Sequence, residues 1–78
     1  MKAKDFEATV KHAPFRRFTI HLDGRSIDVD HPEQVFLTPD KTTVVVALPD
    51  EGIQILDMEL ISSLSMKGRG RATTKTVQ

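Results

Sequence analysis

Residues 18–29 read Phe-Thr-Ile-His-Leu-Asp-Gly-Arg-Ser-Ile-Asp-Val, and this run constrains the fold more than any other in the chain. Phe18, Ile20 and Leu22 alternate with Thr19, His21 and Asp23, the period of a strand with one buried face. Asp23-Gly24 is a two-residue hairpin loop of the kind that takes positive φ at both central positions. Ile27 and Val29 then resume the alternation. With that loop, Leu22 pairs with Arg25, Ile20 with Ile27 and Phe18 with Val29. Every apolar pair falls on one face, and Thr19, His21, Ser26 and Asp28 fall on the other.

The flanking segments supply one helix and more strands. Ala3, Phe6, Val10 and Ala13 recur at spacings of three and four, so residues 3–12 are expected to be helical, with Asp5 as a cap or first-turn acid. Pro14 disfavours helical geometry at Ala13 and ends the helix. His31-Pro32-Glu33 interrupts the hairpin's second strand, because Pro32 has no N–H to give to a ladder. Gln34 to Leu37 read as extended, and Thr38-Pro39-Asp40-Lys41 suits a type I turn. Thr42 to Leu48 is the strongest strand, opening with five β-branched residues. Pro49 to Gly52 closes a second hairpin into Ile53 to Leu56, with Gly52 in the left-handed position. Asp57 caps a single tight turn through Leu60, and Ile61 to Met66 form a last short strand. Residues 67–78 have no apolar periodicity and contain two glycines, which predicts a disordered tail.

Short strands joined by tight turns point to a small barrel, since closure removes exposed sheet edges. At 78 residues without cysteine, the chain has no disulfide to brace a small core. Self-association is the remaining route to extra stability. The absence of cysteine fits a reducing compartment. The first thirteen residues have no long apolar run or cleavage site, and no stretch has the length of a spanning helix, so a cytoplasmic location is expected.

Two resemblances attach to these residues. The run Pro14-Phe15-Arg16-Arg17-Phe18-x-Ile20-His21-Leu22-Asp23-Gly24-Arg25, continued by Val29-x-His31-Pro32-Glu33, resembles a group of small uncharacterised bacterial proteins. The likeness covers roughly residues 10–64 and implies no activity. The short helix, the Leu-Asp-Gly-Arg hairpin and the late Ile61-Ser62-Ser63-Leu64 strand are similar to Sm-like proteins, which form rings by edge-strand pairing and bind RNA. That resemblance implies the fold. It carries no site residues, because the RNA-contacting signatures of the late Sm strands have no counterpart here.

Charge and chemistry narrow the function. Residues 1–66 hold seven Lys/Arg and eleven Asp/Glu, a net of −4, whereas residues 67–78 hold Lys67, Arg69, Arg71 and Lys75 and no acid. The tail's Lys67, Arg69 and Arg71 therefore read either as a weak, salt-sensitive phosphate contact or as solubilising charge. Arg16, Arg17 and Arg25 are the body's only basic cluster. They read either as an anion grip or as arginine stems packing over the rim, and the acidic body favours packing. His21, with Asp23 and Asp28 nearby in sequence, lacks a third ligand to close a metal site. Asp28 and Asp30 share a strand face, but Ile27 and Val29 take the inner one, so the acids read as solvated. There is no nucleophile elbow and no phosphate-binding glycine loop.

The expected protein is mainly β: an N-terminal helix and about five short antiparallel strands in an SH3/Sm-like small barrel, one domain over residues 1–66. It is expected to be non-catalytic, without cofactor or metal. It acts as a binding or assembly module for a protein partner or for itself, with Sm-like RNA binding as the alternative.

Overall fold

The Asp23-Gly24 turn forms where the alternation puts it. The computed structural model describes residues 1–66. Strands β1 (Phe18–Leu22) and β2 (Arg25–Val29) pair antiparallel with Phe18 opposite Val29, Ile20 opposite Ile27 and Leu22 opposite Arg25. The turn itself departs from expectation. Gly24 has φ +84° but Asp23 does not have positive φ. This is the φ signature of a type II turn, which needs left-handed geometry only at its third residue. A β-carbon at Gly24 would meet nothing within 4 Å, so only backbone conformation opposes a side chain there. Gly24→Ala should therefore lower stability by about 1 kcal/mol. A thermal midpoint reduced by several degrees in circular dichroism would show it.

Helix α1 (Ala3–Val10) stops two residues before the expected end. His12 N–H reaches back to Thr9 O at 3.4 Å, a tightened last turn, and His12 Nδ1 donates to the Pro14 carbonyl at 2.9 Å. Phe6 is the one fully buried residue of the helix. Among the described residues six strands form rather than about five: β3 (Val35–Leu37), β4 (Thr43–Leu48), β5 (Gly52–Asp57) and β6 (Ile61–Met66) follow the hairpin.

The strands make two three-stranded antiparallel sheets, β2-β1-β6 and β3-β4-β5. No closed barrel forms among the described residues, since no ladder joins the two sheets. Two single turns of 3-10 helix carry the chain between them. Residues Pro32–Gln34 lead from β2 to β3, and Met58–Leu60 lead from β5 back to β6. Gln34 pins the first crossing: its Oε1 accepts from Asp30 and His31 N–H at 2.9 and 2.8 Å, and its Nε2 donates to Ala47 O at 3.0 Å. Asp57 caps the second, accepting from Glu59 N–H at 3.0 Å, as its position before the tight turn implied.

The core lies between the sheets. Phe18, Ile20, Ile27 and Val29 from one sheet meet Val44, Val46 and Leu56 from the other, with Phe6, Met58 and Ile61 completing the cluster. Phe6 meets Phe18 edge to face, ring centroids 6.2 Å apart at 89°. No polar or charged residue is buried among the described residues. Among the described residues no helix is long and apolar enough to cross a membrane.

Candidate functional site

The basic cluster of the sequence is taken apart by the hairpin that contains it. Arg16 and Arg17 precede β1, whereas Arg25 lies across from Leu22 at its far end, about 16 Å along the strand. Arg17 lies 3.9 Å from Asp30 in an exposed ion pair, and Arg16 is half-buried and engaged. Arg25 Nη2 donates to Gln54 Oε1 at 3.0 Å, bridging the two sheets at the rim. The three guanidinium groups therefore do not converge on one anion. Lys67, Arg69, Arg71 and the proposed disorder of the tail lie outside the described residues.

The outer face of β2-β1-β6 is polar, and its groups satisfy one another. Thr19 Oγ1 donates to Asp28 Oδ1 at 2.7 Å, and His21 Nε2 and Ser65 Oγ share a hydrogen bond of 2.7 Å. Ser26, Asp28, Ser63 and Ser65 are exposed beside them. Asp30 and Glu33 also face solvent. No group of three His, Cys, Asp or Glu side chains that could hold a metal occurs among the described residues.

Two carboxyls elsewhere are held below their ordinary range, each by local structure. Glu7 is lowered chiefly by the hydrogen bond from Lys41 Nζ at 2.7 Å, with the charges of Lys41 and Lys11 adding to it. Asp40 is lowered by the hydroxyls of Thr38 and Thr42 and by the Thr42 N–H, at 2.7, 2.9 and 3.2 Å. Both are turn and helix fixtures. Lys41 sits at φ +63°, so the Thr38-Asp40 turn presents its ammonium to α1.

The unusual surface is the outer face of β3-β4-β5. Register puts Phe36, Val45 and Ile55 in one row across the three strands, and Ala47 beside Ile53 in the next. Phe36 is 59% exposed, Ile53 67% and Ile55 71%. Leu60, 65% exposed, extends the surface, because it lines one shallow cleft of about 320 Å³ with Ile55, Leu22, Arg25 and Asp57. At the other end Phe36 lines a cleft of about 250 Å³ against Val10 and Lys11 of the helix. These four large side chains leave on the order of 500 Å² of apolar surface in water, the size of the largest patch on a monomer, which is often functional.

Sequence reasoning missed this face. The signal was present in the second hairpin. Pro49 to Gly52 sets Ile53 against Ala47 and Ile55 against Val45. Once Val44 and Val46 point inward, both isoleucines must point out.

Comparison with known proteins adds no assignment: no protein-family model, no curated protein and no solved structure matches the chain.

Proposed function

We propose that this chain is a non-catalytic binding or assembly module, built on a small barrel of the SH3/Sm kind, that contacts a protein partner or further copies of itself. The observation that carries the reading is the apolar outer face of β3-β4-β5, with Phe36, Ile53 and Ile55 each more than half exposed. Antiparallel sheets with one solvated face alternate apolar and polar residues, and a sheet apolar on both faces is one that expects a cover.

The barrel component is supported by the path of the chain. β1 pairs with both its neighbour β2 and the distant β6, and each passage between sheets is a single 3-10 turn. The likeness of the hairpin and the Ile61-Ser62-Ser63-Leu64 strand to Sm-like proteins points the same way. The non-catalytic component is supported by the occupation of the polar groups. On the outer sheet face Thr19 is bonded to Asp28 and His21 to Ser65, so these side chains hold one another.

The competing role is Sm-like RNA binding, and it can be separated by charge. Residues 1–66 carry a net of −4 and residues 67–78 carry +4. Fluorescence polarisation with short single-stranded RNA should detect faint binding by the full chain in low salt. That binding should vanish at physiological salt and after removal of residues 67–78. Tight, sequence-selective binding by the truncated chain would replace the module reading with the RNA-binding one.

A further inference from the structure

We propose that the outer face of β3-β4-β5 is the contact surface of a symmetric homodimer, two copies packing sheet on sheet with β4 at the two-fold axis. The inference rests on the assembly reading above and gives it a partner and a face.

The geometry suits self-pairing. Val45 is the centre of the row Phe36–Val45–Ile55. Neighbouring strands are about 4.8 Å apart, so Phe36 and Ile55 stand equally far to either side of it. An axis lying in the interface along β4 therefore sets Phe36 of one copy over Ile55 of the other, and Ile55 over Phe36. Each contact is made twice, as an isologous interface requires, and the assembly closes at two.

Charge agrees with that orientation. The central rows, Phe36–Val45–Ile55 and Ala47–Ile53, carry no charged side chain, so identical copies meet there without repulsion. The two ends differ in charge. The Phe36 cleft is lined by Lys11 and Glu7, which balance. The Ile55 cleft has Asp23, Asp57 and Arg25, one negative charge in excess. The two-fold sets unlike ends together and keeps the acidic ends of the two copies apart.

Area is sufficient as well. Two faces of on the order of 500 Å² remove about 1,000 Å² of surface from water, the size at which specific interfaces begin. Residues 67–78 are a poor alternative cover, because Ala72 and Val77 are their only apolar residues. The apolar rows need matching apolar surface, and a second copy supplies it.

The test is the solution mass of the full chain by analytical ultracentrifugation across a micromolar dilution series. The wild-type chain should be dimeric at the upper end. Ile55→Lys should weaken the dimer at least about 100-fold, as expected for a charge forced into the centre of an interface. Its far-ultraviolet spectrum should stay that of the wild type, because Ile55 is 71% exposed in the single chain. Should Ile55→Lys fail to fold, Phe36→Ser reads the same contact from the other side. Ser63→Lys, on the polar sheet, should leave the dimer intact. A dimer that survives both Ile55→Lys and Phe36→Ser overturns this face while leaving assembly standing, as does a larger ring indifferent to both. A wild-type chain monomeric throughout the series overturns the dimer and self-assembly together.

Discussion

Phe6→Ala should cost about 3 kcal/mol of stability, the usual loss for a fully buried phenylalanine truncated to alanine. Phe6 is 0% exposed and is the only fully buried contribution of α1. Its removal takes away both the apolar area and the edge-to-face contact with Phe18, and Phe18 also meets Phe15 at 6.0 Å. The gap cannot close by rotamer change alone, because the ring lies between a helix and a sheet held by separate ladders. Urea unfolding followed by circular dichroism should show a lower midpoint with an unchanged slope. Phe6→Leu, which keeps most of the volume, should recover most of the loss. An unchanged midpoint for Phe6→Ala would mean that the helix does not seal the core.

Val44→Asp should be more severe and should leave the chain unfolded at neutral pH. Val44 is fully buried and opposes Leu37 and Leu56, with no donor nearby to receive a carboxylate. Burial of that kind raises a carboxyl pKa by about 3–5 units, a penalty of about 4 kcal/mol at neutral pH, where the folded chain must take up a proton that the unfolded chain does not, and the lost valine packing adds to it. A domain of this size has total stability of roughly that amount. Because the folded-state pKa is raised, the penalty shrinks as pH falls and the carboxyl becomes neutral. The variant should therefore regain structure in mild acid, unlike the wild type. Val45→Thr, one residue along and on the other face, should change monomer stability by about 0.5 kcal/mol or less. Equal effects at the two positions would mean that the strand faces are wrongly assigned.

The contrast between Val44 and Val45 also explains what could be read from the chain unaided. The β1–β2 register was legible because Asp23-Gly24 leaves one pairing that puts Phe18, Ile20, Ile27 and Val29 on a common face. The Asp57 cap and the left-handed Gly52 were legible because each is a local choice of one residue type. The faces of β4 were not, since an unbroken run of β-branched residues has no period. β5 even points the wrong way. Ile53, Gln54 and Ile55 alternate as though both isoleucines were core, yet Leu56 is buried and Gln54 turns toward Arg25. The core had already been filled by Val44 and Val46, and tertiary packing overrode the local pattern. Arg16, Arg17 and Arg25 looked like one cluster for a related reason: nearness in sequence hides the length of the strand between them.

The pairing of β1 with β6 has a temporal consequence. Phe18 lies opposite Met66, so the central strand of one sheet waits for the last described strand before its second ladder can form. The hairpin β1–β2 and the meander β3-β4-β5 close over short loops and can appear early, but joining β6 to β1 means closing the long loop from Leu22 to Ile61, which contains every other strand. During synthesis on the ribosome, a chain that has emerged only as far as β5 holds an unpaired edge on β1 and lacks Ile61 from its core. Such a nascent chain has its meander already displaying Phe36, Ile53 and Ile55 to neighbours. Its exposure to misassembly is set by how soon β6 follows β5 out of the exit tunnel.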